Sequence, residues 1–171
     1  GPGSLTTTIS DNTGQAGNMI DVTALTGNIT IDSFDINLNN SATIEIYYKA
    51  GSYIGYETNA SAWTLLGSTQ VYSIGSGFPS PCPIGGLTIP YGEMYALYIT
   101  TTGGSINYTT LSSPPYHTDG NLLIDNSCGK SYPFGSTFTP RDWNGTIYYS
   151  SGNGCTSAFV PVTVAVQYAD Y

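Results

Sequence analysis

Hydrophobic residues recur at every second position in several short segments of the chain. The longest of these segments lies near the C-terminal end, where apolar residues alternate with Pro, Thr, Ala and Gln at Val160, Val162, Val164, Val166 and Tyr168. Alternation of this kind is typical of a β-strand with one buried face. Glycine, proline and asparagine separate the segments, and none shows the period of about 3.6 residues that marks a helix. The pattern predicts an all-β fold, a jelly-roll-like antiparallel β-sandwich of about ten strands with essentially no helix.

The apolar alternation changes phase in the strand that begins near Ile29. Ile29 and Ile31 share one face, but the next apolar residues, Phe34 and Ile36, have the other parity. A regular strand would turn half of these side chains to solvent. The change of phase therefore predicts a β-bulge or a kink at Asp32-Ser33.

The connection that follows the next strand, residues 50–62, is rich in tyrosine and glycine and is longer than a hairpin requires. Sugars present flat C–H faces that stack on aromatic rings, and their hydroxyl groups pair with carboxylates and amides. The region offers both kinds of side chain, so it predicts a ligand site formed by Tyr53, Tyr56 and Trp63 with Glu57 and Asn59. The alternative left open is that Trp63 belongs to the core and that the tyrosines are ordinary strand residues.

The length of 171 residues fits one domain, because β-sandwiches of this size and larger fold as single units. Residues 1–4, Gly-Pro-Gly-Ser, are typical of the remnant of a cleaved purification tag, and we exclude them from the fold prediction. The predicted domain spans residues 5–171, and residues 151–171 contain its closing strand.

Charged residues make up only 8% of the chain, and acidic residues outnumber Lys and Arg by eleven to three. The net charge of -8 argues against a nucleic acid partner, because affinity for a phosphate backbone needs several Lys or Arg contacts. It also disfavours anionic membrane surfaces, and no apolar run approaches the roughly 20 residues of a membrane helix. The abundance of Thr, Ser, Asn, Gly and Tyr favours an extracellular β-protein.

A second candidate site is the segment Arg141, Asp142 and Trp143. It lies beyond a short predicted strand at Asn121–Asp125, at the end of an irregular segment that begins at Cys128. Arginine is the usual bidentate partner of a carboxylate, and the chain has only three Lys and Arg residues. The favoured interpretation is an internal pair between Arg141 and an acidic residue beside a buried Trp143. Binding of a ligand by these residues is the alternative.

A structural calcium ion is a third candidate, because carboxylates supply the hard oxygen ligands that calcium prefers. The candidate ligands are Asp32, Asp35, Asp119 and Asp125. No EF-hand or comparable spacing is present, so solvated carboxylates are the favoured alternative. No other cofactor is expected.

The sequence offers little support for catalysis. His117 has Asp119 two residues away, but no serine lies in a nucleophile motif such as GxSxG. A glycosidase pair among Glu45, Glu57, Glu93 and the aspartates is left open, since the separation of two carboxylates is not visible in a sequence. We therefore expect a module without catalytic activity.

Cys82, Cys128 and Cys155 make an odd number, and their spacing matches no short zinc or redox motif. In a chain with the composition of a secreted protein, one disulfide and one remaining thiol are the favoured interpretation. The spacing leaves the connectivity open.

Six separated segments carry a resemblance to a known family. In chain order they are GNMIDVTA, ITIDSFDINL, YYKAGSYIGYE, AWTLLG, LTIPYGEMYALYITT and FTPRDWNGTIYYS. Together they resemble a jelly-roll-like module that is repeated across very large secreted proteins of gliding, type IX-secreting bacteria. The tail GCTSAFVPVTVAV resembles the closing strand of many Ig-like repeats in the same proteins.

The resemblance implies a module that is secreted or displayed on a bacterial cell surface. Cys82 and Cys128 depart from the pattern of this module, and that departure is the reason to pair them in a disulfide. With the excess of tyrosine, the resemblance predicts a non-catalytic module that mediates adhesion or binds a glycan or another cell-surface polymer. The alternatives are a structural spacer that contacts neighbouring modules of a large adhesin or filament and, less favoured, a glycan-active hydrolase.

Overall fold

The computed structural model describes residues 1–10 and 13–152 of the chain. The predicted strand from Val160 to Tyr168 and the third cysteine, Cys155, lie outside the described residues. Within the described residues the fold is built almost entirely from short β-strands.

In chain order the strands are β1 (Pro2–Thr6), β2 (Gly14–Gln15), β3 (Gly17–Ala24), β4 (Asn28–Ile36), β5 (Ala42–Ala50), β6 (Thr64–Val71), β7 (Ser80–Cys82), β8 (Leu87–Ile89), β9 (Met94–Thr101), β10 (Ile106–Thr110), β11 (His117–Thr118), β12 (Leu122–Lys130), β13 (Thr137–Phe138), β14 (Arg141–Trp143) and β15 (Gly145–Gly152). One turn of 3₁₀ helix, Ala60–Ala62, is the only helical segment of the described chain. The predicted all-β class is confirmed. The count of about ten strands expected for a sandwich is too low. Six of the fifteen strands have only two or three residues, too few to show alternation.

Two large antiparallel sheets form the sandwich. The five-stranded sheet has the order β1-β15-β4, and β7 and β8 both pair with the free edge of β4. The seven-stranded sheet has the order β11-β12-β3-β9-β5-β6, and β13 also pairs with β12. A smaller sheet, β14-β10-β2, contacts β3 and β12. The observed architecture is therefore the predicted antiparallel β-sandwich.

The main core lies between the two large sheets. Between its bulges each strand contributes side chains of one parity. The buried members include Ile20, Val22, Ile29, Ile31, Phe34, Ile36, Ile44, Ile46, Leu97, Ile99 and Ile147. Trp143 packs edge-to-face on Phe34, with 6.2 Å between the ring centroids. Removal of these apolar side chains from water supplies most of the favourable free energy of folding.

The bulge predicted in β4 is confirmed. Ser33 pairs with Tyr148 and Ile31 pairs with Tyr149, so Asp32 is an extra residue without a partner in β15. The extra residue changes the parity of the strand. As a result, the apolar residues on both sides of the bulge point into the core.

The seven-stranded sheet is also buried on its outer face. A second apolar cluster lies there, formed by Met19, Tyr53, Trp63, Ala96, Tyr98 and Cys128, with Tyr47, Ala62 and Phe134 packed against it. The covering side chains come from two loops, residues 51–63 and residues 131–136. Because β9 is buried on both faces, its sequence MYALYITT lacks a clear alternation of apolar and polar residues.

The residues predicted to be a tag remnant take part in the five-stranded sheet. β1 begins at Pro2 and pairs with β15 along its whole length, from Pro2 opposite Ser150 to Thr6 opposite Thr146. Pro2, Gly3 and Ser4, which the fold prediction leaves out, therefore belong to a strand of the described structure.

Cys82 and Cys128 are both free thiols, so the predicted disulfide between them is wrong. Cys82 lies in β7 and packs in the core between the sheets. Cys128 lies in β12 and packs in the second apolar cluster, on the outer face of the seven-stranded sheet. The two sulfur atoms thus belong to different layers, separated by a sheet.

Gly85 packs so closely against the bulge of β4 that a side chain has no space. A Cβ atom there would lie 2.0 Å from the carbonyl oxygen of Asp32. We predict that Gly85→Ala lowers the free energy of unfolding by about 1–3 kcal/mol, the usual cost of overpacking. Gly103→Ala is the matched control, because a Cβ atom at Gly103 has no neighbour within 4 Å. Urea denaturation measures both variants, and equal stability would contradict the prediction.

Burial raises the pKa of the Cys82 thiol to about 12 and the pKa of the Cys128 thiol to about 11. The thiolate is the reactive form, so we predict that iodoacetamide modifies neither residue in the native protein at neutral pH. Both residues should react after unfolding without a reductant. Peptide mapping by mass spectrometry checks this, and a peptide that joins Cys82 to Cys128 is the contrary result.

Candidate functional site

A second β-bulge, in β12, places two polar residues opposite one buried acid. Ile124 pairs with Val22 and Asn126 pairs with Asp21, so Asp125 is the extra residue. The extra residue turns both Asp125 and Asn126 to the outer side of the sheet, beside Asp21. The bulge therefore builds a polar corner next to the second apolar cluster.

Asp21 is the buried member of this corner and holds the loop of residues 51–63 in place. It is 2% exposed, although it lies within the apolar strand β3. Its Oδ2 accepts a hydrogen bond from Ser52 Oγ at 2.6 Å, and its Oδ1 accepts one from Tyr53 N at 3.0 Å. Asn126 Nδ2 donates a longer hydrogen bond to Oδ2, at 3.4 Å. One carboxylate thus joins β3, β12 and the loop.

Aromatic packing holds the remainder of the loop. The ring of Tyr53 lies in the second apolar cluster, and its hydroxyl donates to Asn126 Oδ1 at 2.9 Å. Trp63 packs edge-to-face on Tyr98, with 6.3 Å between the centroids. Its Nε1 donates to the carbonyl oxygen of Tyr56 at 3.0 Å. The loop is therefore anchored near both of its ends.

The loop and the bulge border an open cleft with a volume of about 440 Å³. Its lining consists of Asp21, Ser52, Ile54, Met94, Pro114, Asp125 and Asn126. Four of these side chains are polar and three are apolar. The volume lies within the range of about 300–1,000 Å³ that is typical of small-molecule sites.

The cleft is electronegative. Burial raises the pKa of Asp21 above its ordinary value, and the nearby charge of Asp125 adds to the increase. Hydrogen bonds from Ser52 and Tyr53 act in the opposite direction but do not cancel the increase. In the described part of the chain the one basic side chain within ion-pair distance of a carboxylate is His117, beside Asp142, so neither acid of the cleft has a basic partner.

The predicted aromatic platform is only partly accessible. Tyr53 and Trp63 are buried, at 3% and 7% exposed, so their rings are packed inside the protein and cannot stack on a sugar. The alternative that assigned Trp63 to the core is the arrangement observed. Tyr56 is 44% exposed, and Nζ of Lys49 lies 4.2 Å from its ring centroid.

The two polar residues of that predicted site stabilise turns of the loop. The carboxylate of Glu57 accepts hydrogen bonds from Gly55 N at 2.9 and 3.1 Å. Asn59 Oδ1 accepts one from Ser61 Oγ at 2.7 Å. A role for Tyr56, Glu57 and Asn59 in binding stays a prediction.

The second predicted site forms strand β14, Arg141–Trp143, and Trp143 is fully buried as expected. The predicted internal pair between Arg141 and an acid is wrong. The guanidinium carbon of Arg141 lies 5.7 Å from the ring centroid of Tyr108, and Nη1 donates to the carbonyl oxygen of Pro140. The cation is thus held by a ring and a backbone carbonyl.

Asp142 pairs with His117 instead of arginine, because strands β11 and β14 bring the two side chains together. Nε2 of His117 lies 2.9 Å from Oδ2 of the buried Asp142. Asp119, the acid nearest to His117 in sequence, accepts hydrogen bonds from the backbone N of Asn121 and Leu122. Asp119 therefore stabilises a turn.

The four predicted calcium ligands do not converge. Asp32 and Asp35 lie on the five-stranded sheet and accept hydrogen bonds from a serine and a tyrosine hydroxyl. Asp119 lies in its turn, and Asp125 lies in the cleft. Within residues 1–10 and 13–152, no group of three His, Cys, Asp or Glu side chains could hold a metal ion.

Most residues of the cleft are absent from the predicted sites, since only Asp125 was named, as a metal ligand. Two signals in the sequence point to the cleft. One is the single acid, Asp21, in the otherwise apolar run MIDV. The other is the end of the apolar alternation after Ile124. The predicted strand at Asn121–Asp125 stops at that break, whereas β12 continues through the bulge to Lys130.

Comparisons of the chain with protein-family models, with curated proteins and with solved structures found no match. No helix in the described residues is long and apolar enough to cross a membrane. The assignment of a function therefore depends on the geometry and chemistry of the cleft.

Asp21 makes the stability depend on pH in a defined direction. Burial raises the pKa of Asp21 in the folded protein above 3.8, the ordinary value that applies to the unfolded chain. At a pH between the unfolded-state pKa and the folded-state pKa, the folded protein holds a proton that the unfolded chain has lost. Its contribution to the free energy of unfolding therefore falls as the pH rises through this window. The amide of Asp21→Asn does not titrate. We predict that the stability of Asp21→Asn relative to the wild type improves from about pH 4 to about pH 7.

Urea denaturation at a series of pH values measures this difference. The prediction fails if the difference in free energy of unfolding between the variant and the wild type stays constant, or if the variant loses stability relative to the wild type as the pH rises. Either result would show that burial does not raise the pKa of Asp21.

Proposed function

We propose that this protein is a non-catalytic module of a secreted or surface-displayed bacterial protein, and that it binds a saccharide in the cleft between residues 51–63 and the bulge of β12. One observation carries the proposal. The cleft combines the carboxylates of Asp21 and Asp125 with the apolar side chains of Ile54 and Met94. The composition of the chain and its resemblance to modules of large bacterial surface proteins support the location.

Saccharides need both kinds of lining. Their hydroxyl groups donate hydrogen bonds to carboxylates, and their C–H faces pack on apolar side chains. Three donors hold the carboxylate of Asp21 in one orientation. An acceptor that is already oriented binds with a smaller loss of conformational entropy.

The loop also offers a contact for a longer ligand. Tyr56 lies two residues beyond Ile54, and 44% of it is exposed. Lys49 covers part of the ring, and the exposed remainder is available for stacking. A polymeric glycan would extend from the cleft onto Tyr56, which keeps one residue of the predicted platform in the proposed site.

A glycan-active hydrolase is the second candidate, because two carboxylates in one cleft are what such enzymes require. The hydrogen bonds that Asp21 accepts hold it as a fixed acceptor and make it poorly suited to act as the catalytic acid, which has to donate its proton to the substrate. Release of reducing ends from a bound glycan by the purified protein would decide for the hydrolase. A spacer that contacts neighbouring modules is the third candidate and requires no ligand in the cleft.

Asp125→Ala should weaken saccharide binding by about tenfold or more, because each hydrogen bond to a charged group contributes about 1.5–3 kcal/mol. A glycan array identifies the saccharide, and isothermal titration calorimetry measures its Kd. Asp32→Ala is the matched control, since Asp32 is an exposed aspartate on the five-stranded sheet. Its Kd should stay within about twofold of the wild type.

Two results would contradict the proposal. Absence of binding to every glycan, by a protein that unfolds cooperatively, would favour the spacer. An equal loss of affinity in Asp32→Ala and Asp125→Ala would place the binding site outside the cleft.

A further inference from the structure

We infer that the saccharide bound in this cleft carries a free ammonium group, as an unacetylated hexosamine does, and that the ammonium binds the carboxylate of Asp125, next to the buried Asp21. The inference rests on the proposed function and names the class of ligand. It follows from the hydrogen-bonding inventory of the cleft and from its charge.

The donors of the cleft are largely in use within the protein. The hydroxyl of Ser52 donates to Asp21, and the hydroxyl of Tyr53 donates to Asn126 Oδ1. Asn126 Nδ2 donates to Asp21 and has one further N–H group. The groups that remain are mainly acceptors, chiefly the carboxylate of Asp125, because Asp21 already accepts three hydrogen bonds from the protein. The ligand therefore has to supply donors.

An ammonium group fits this inventory better than a hydroxyl group. It has three donors and no acceptor, whereas a hydroxyl has one donor and two lone pairs. Hydrogen bonds from an ammonium to a carboxylate are charge-assisted and are about twice as strong as neutral ones. An N-acetyl group removes the charge and leaves a single N–H donor.

No basic side chain of the described residues competes for the two carboxylates. Lys49 donates to two backbone carbonyl oxygens of the loop, and Lys130 donates to a carbonyl oxygen and a threonine hydroxyl. Arg141 lies against a tyrosine ring and a carbonyl oxygen. Within the described chain, neither Asp21 nor Asp125 has a basic side chain within ion-pair distance.

The charge of the site also excludes acidic saccharides. Asp21 is buried next to Asp125, and its three hydrogen bonds offset only part of the cost of burying a charge that has no counter-ion. A cation relieves this cost, while a uronate or sulfate group would bring a third negative charge. The net charge of -8 also attracts a cationic ligand and repels an anionic one as it approaches the protein.

Isothermal titration calorimetry with four matched trisaccharides tests the inference. The ligands are the β-linked trimers of glucosamine, N-acetylglucosamine and glucose, and a hexuronate trimer, at about pH 6, where the amine is protonated. The glucosamine trimer should bind at least about tenfold tighter than the N-acetylated trimer, a difference of about 1.4 kcal/mol. The hexuronate trimer should not bind. A lysine-containing tripeptide distinguishes an amino sugar from any other ammonium.

The variant Asp125→Asn separates the charge from the shape of the side chain. It should reduce the preference for the amine to less than about threefold, because about 1 kcal/mol or more of charge-assisted bonding is lost. The affinity for the N-acetylated trimer should stay within about threefold of the wild type. A preference for the amine that survives Asp125→Asn would overturn the placement of the ammonium.

The remaining outcomes distinguish the inference from the proposed function. Equal or tighter binding of the N-acetylated or glucose trimer overturns the inference and supports the proposed function. Absence of binding to every trimer overturns the inference, and the proposed function falls with it only if the glycan array also shows no binding. Binding of the lysine tripeptide as tightly as the glucosamine trimer overturns the assignment to a saccharide.

Discussion

Burial of the seven-stranded sheet on both faces is the constraint from which the candidate site follows. A sandwich sheet ordinarily has one face in the core and one in water. Here residues 51–63 and 131–136 cover the outer face with an aromatic cluster. The polar groups at the border of this cluster have left water and need partners. Asp21 satisfies this requirement by accepting hydrogen bonds from the loop and from β12, and the cleft forms where the covering layer ends.

The bulges in β4 and β12 act in the same way, one at the core between the sheets and one at the aromatic cluster on the outer face. An extra residue, Asp32 in β4 and Asp125 in β12, changes which side chains face which layer. In β4 the change keeps isoleucine and phenylalanine in the core. In β12 it turns two neighbouring polar residues to the same side and aims them at Asp21. The site is thus a product of strand geometry, and a ligand that neutralises its carboxylates would also stabilise the loop that Asp21 holds.

The predictions from sequence were correct where the direction of a side chain depends on its neighbours in the chain. They were wrong where that direction depends on residues distant in sequence. The alternation of Ile29, Ile31, Phe34 and Ile36 located the bulge of β4, because the parity of a strand is local. The ring of Tyr53 was expected to be exposed, but the loop folds back onto the sheet and buries it. Arg141 was expected to pair with an acidic residue and instead lies against the ring of Tyr108 and a backbone carbonyl oxygen, while Asp142 meets a histidine of another strand.

The sequence by itself determined the all-β class, the antiparallel sandwich and the site of one bulge, since a period of two residues dictates which positions are buried. Only the tertiary structure decided that Cys82 and Cys128 lie in different layers and remain thiols. It also decided that Asp21 and Asp125 share one cleft. Whether two such groups meet depends on which strands become neighbours, and that is set by the packing of the whole sheet and not by the residues on either side of them in the chain.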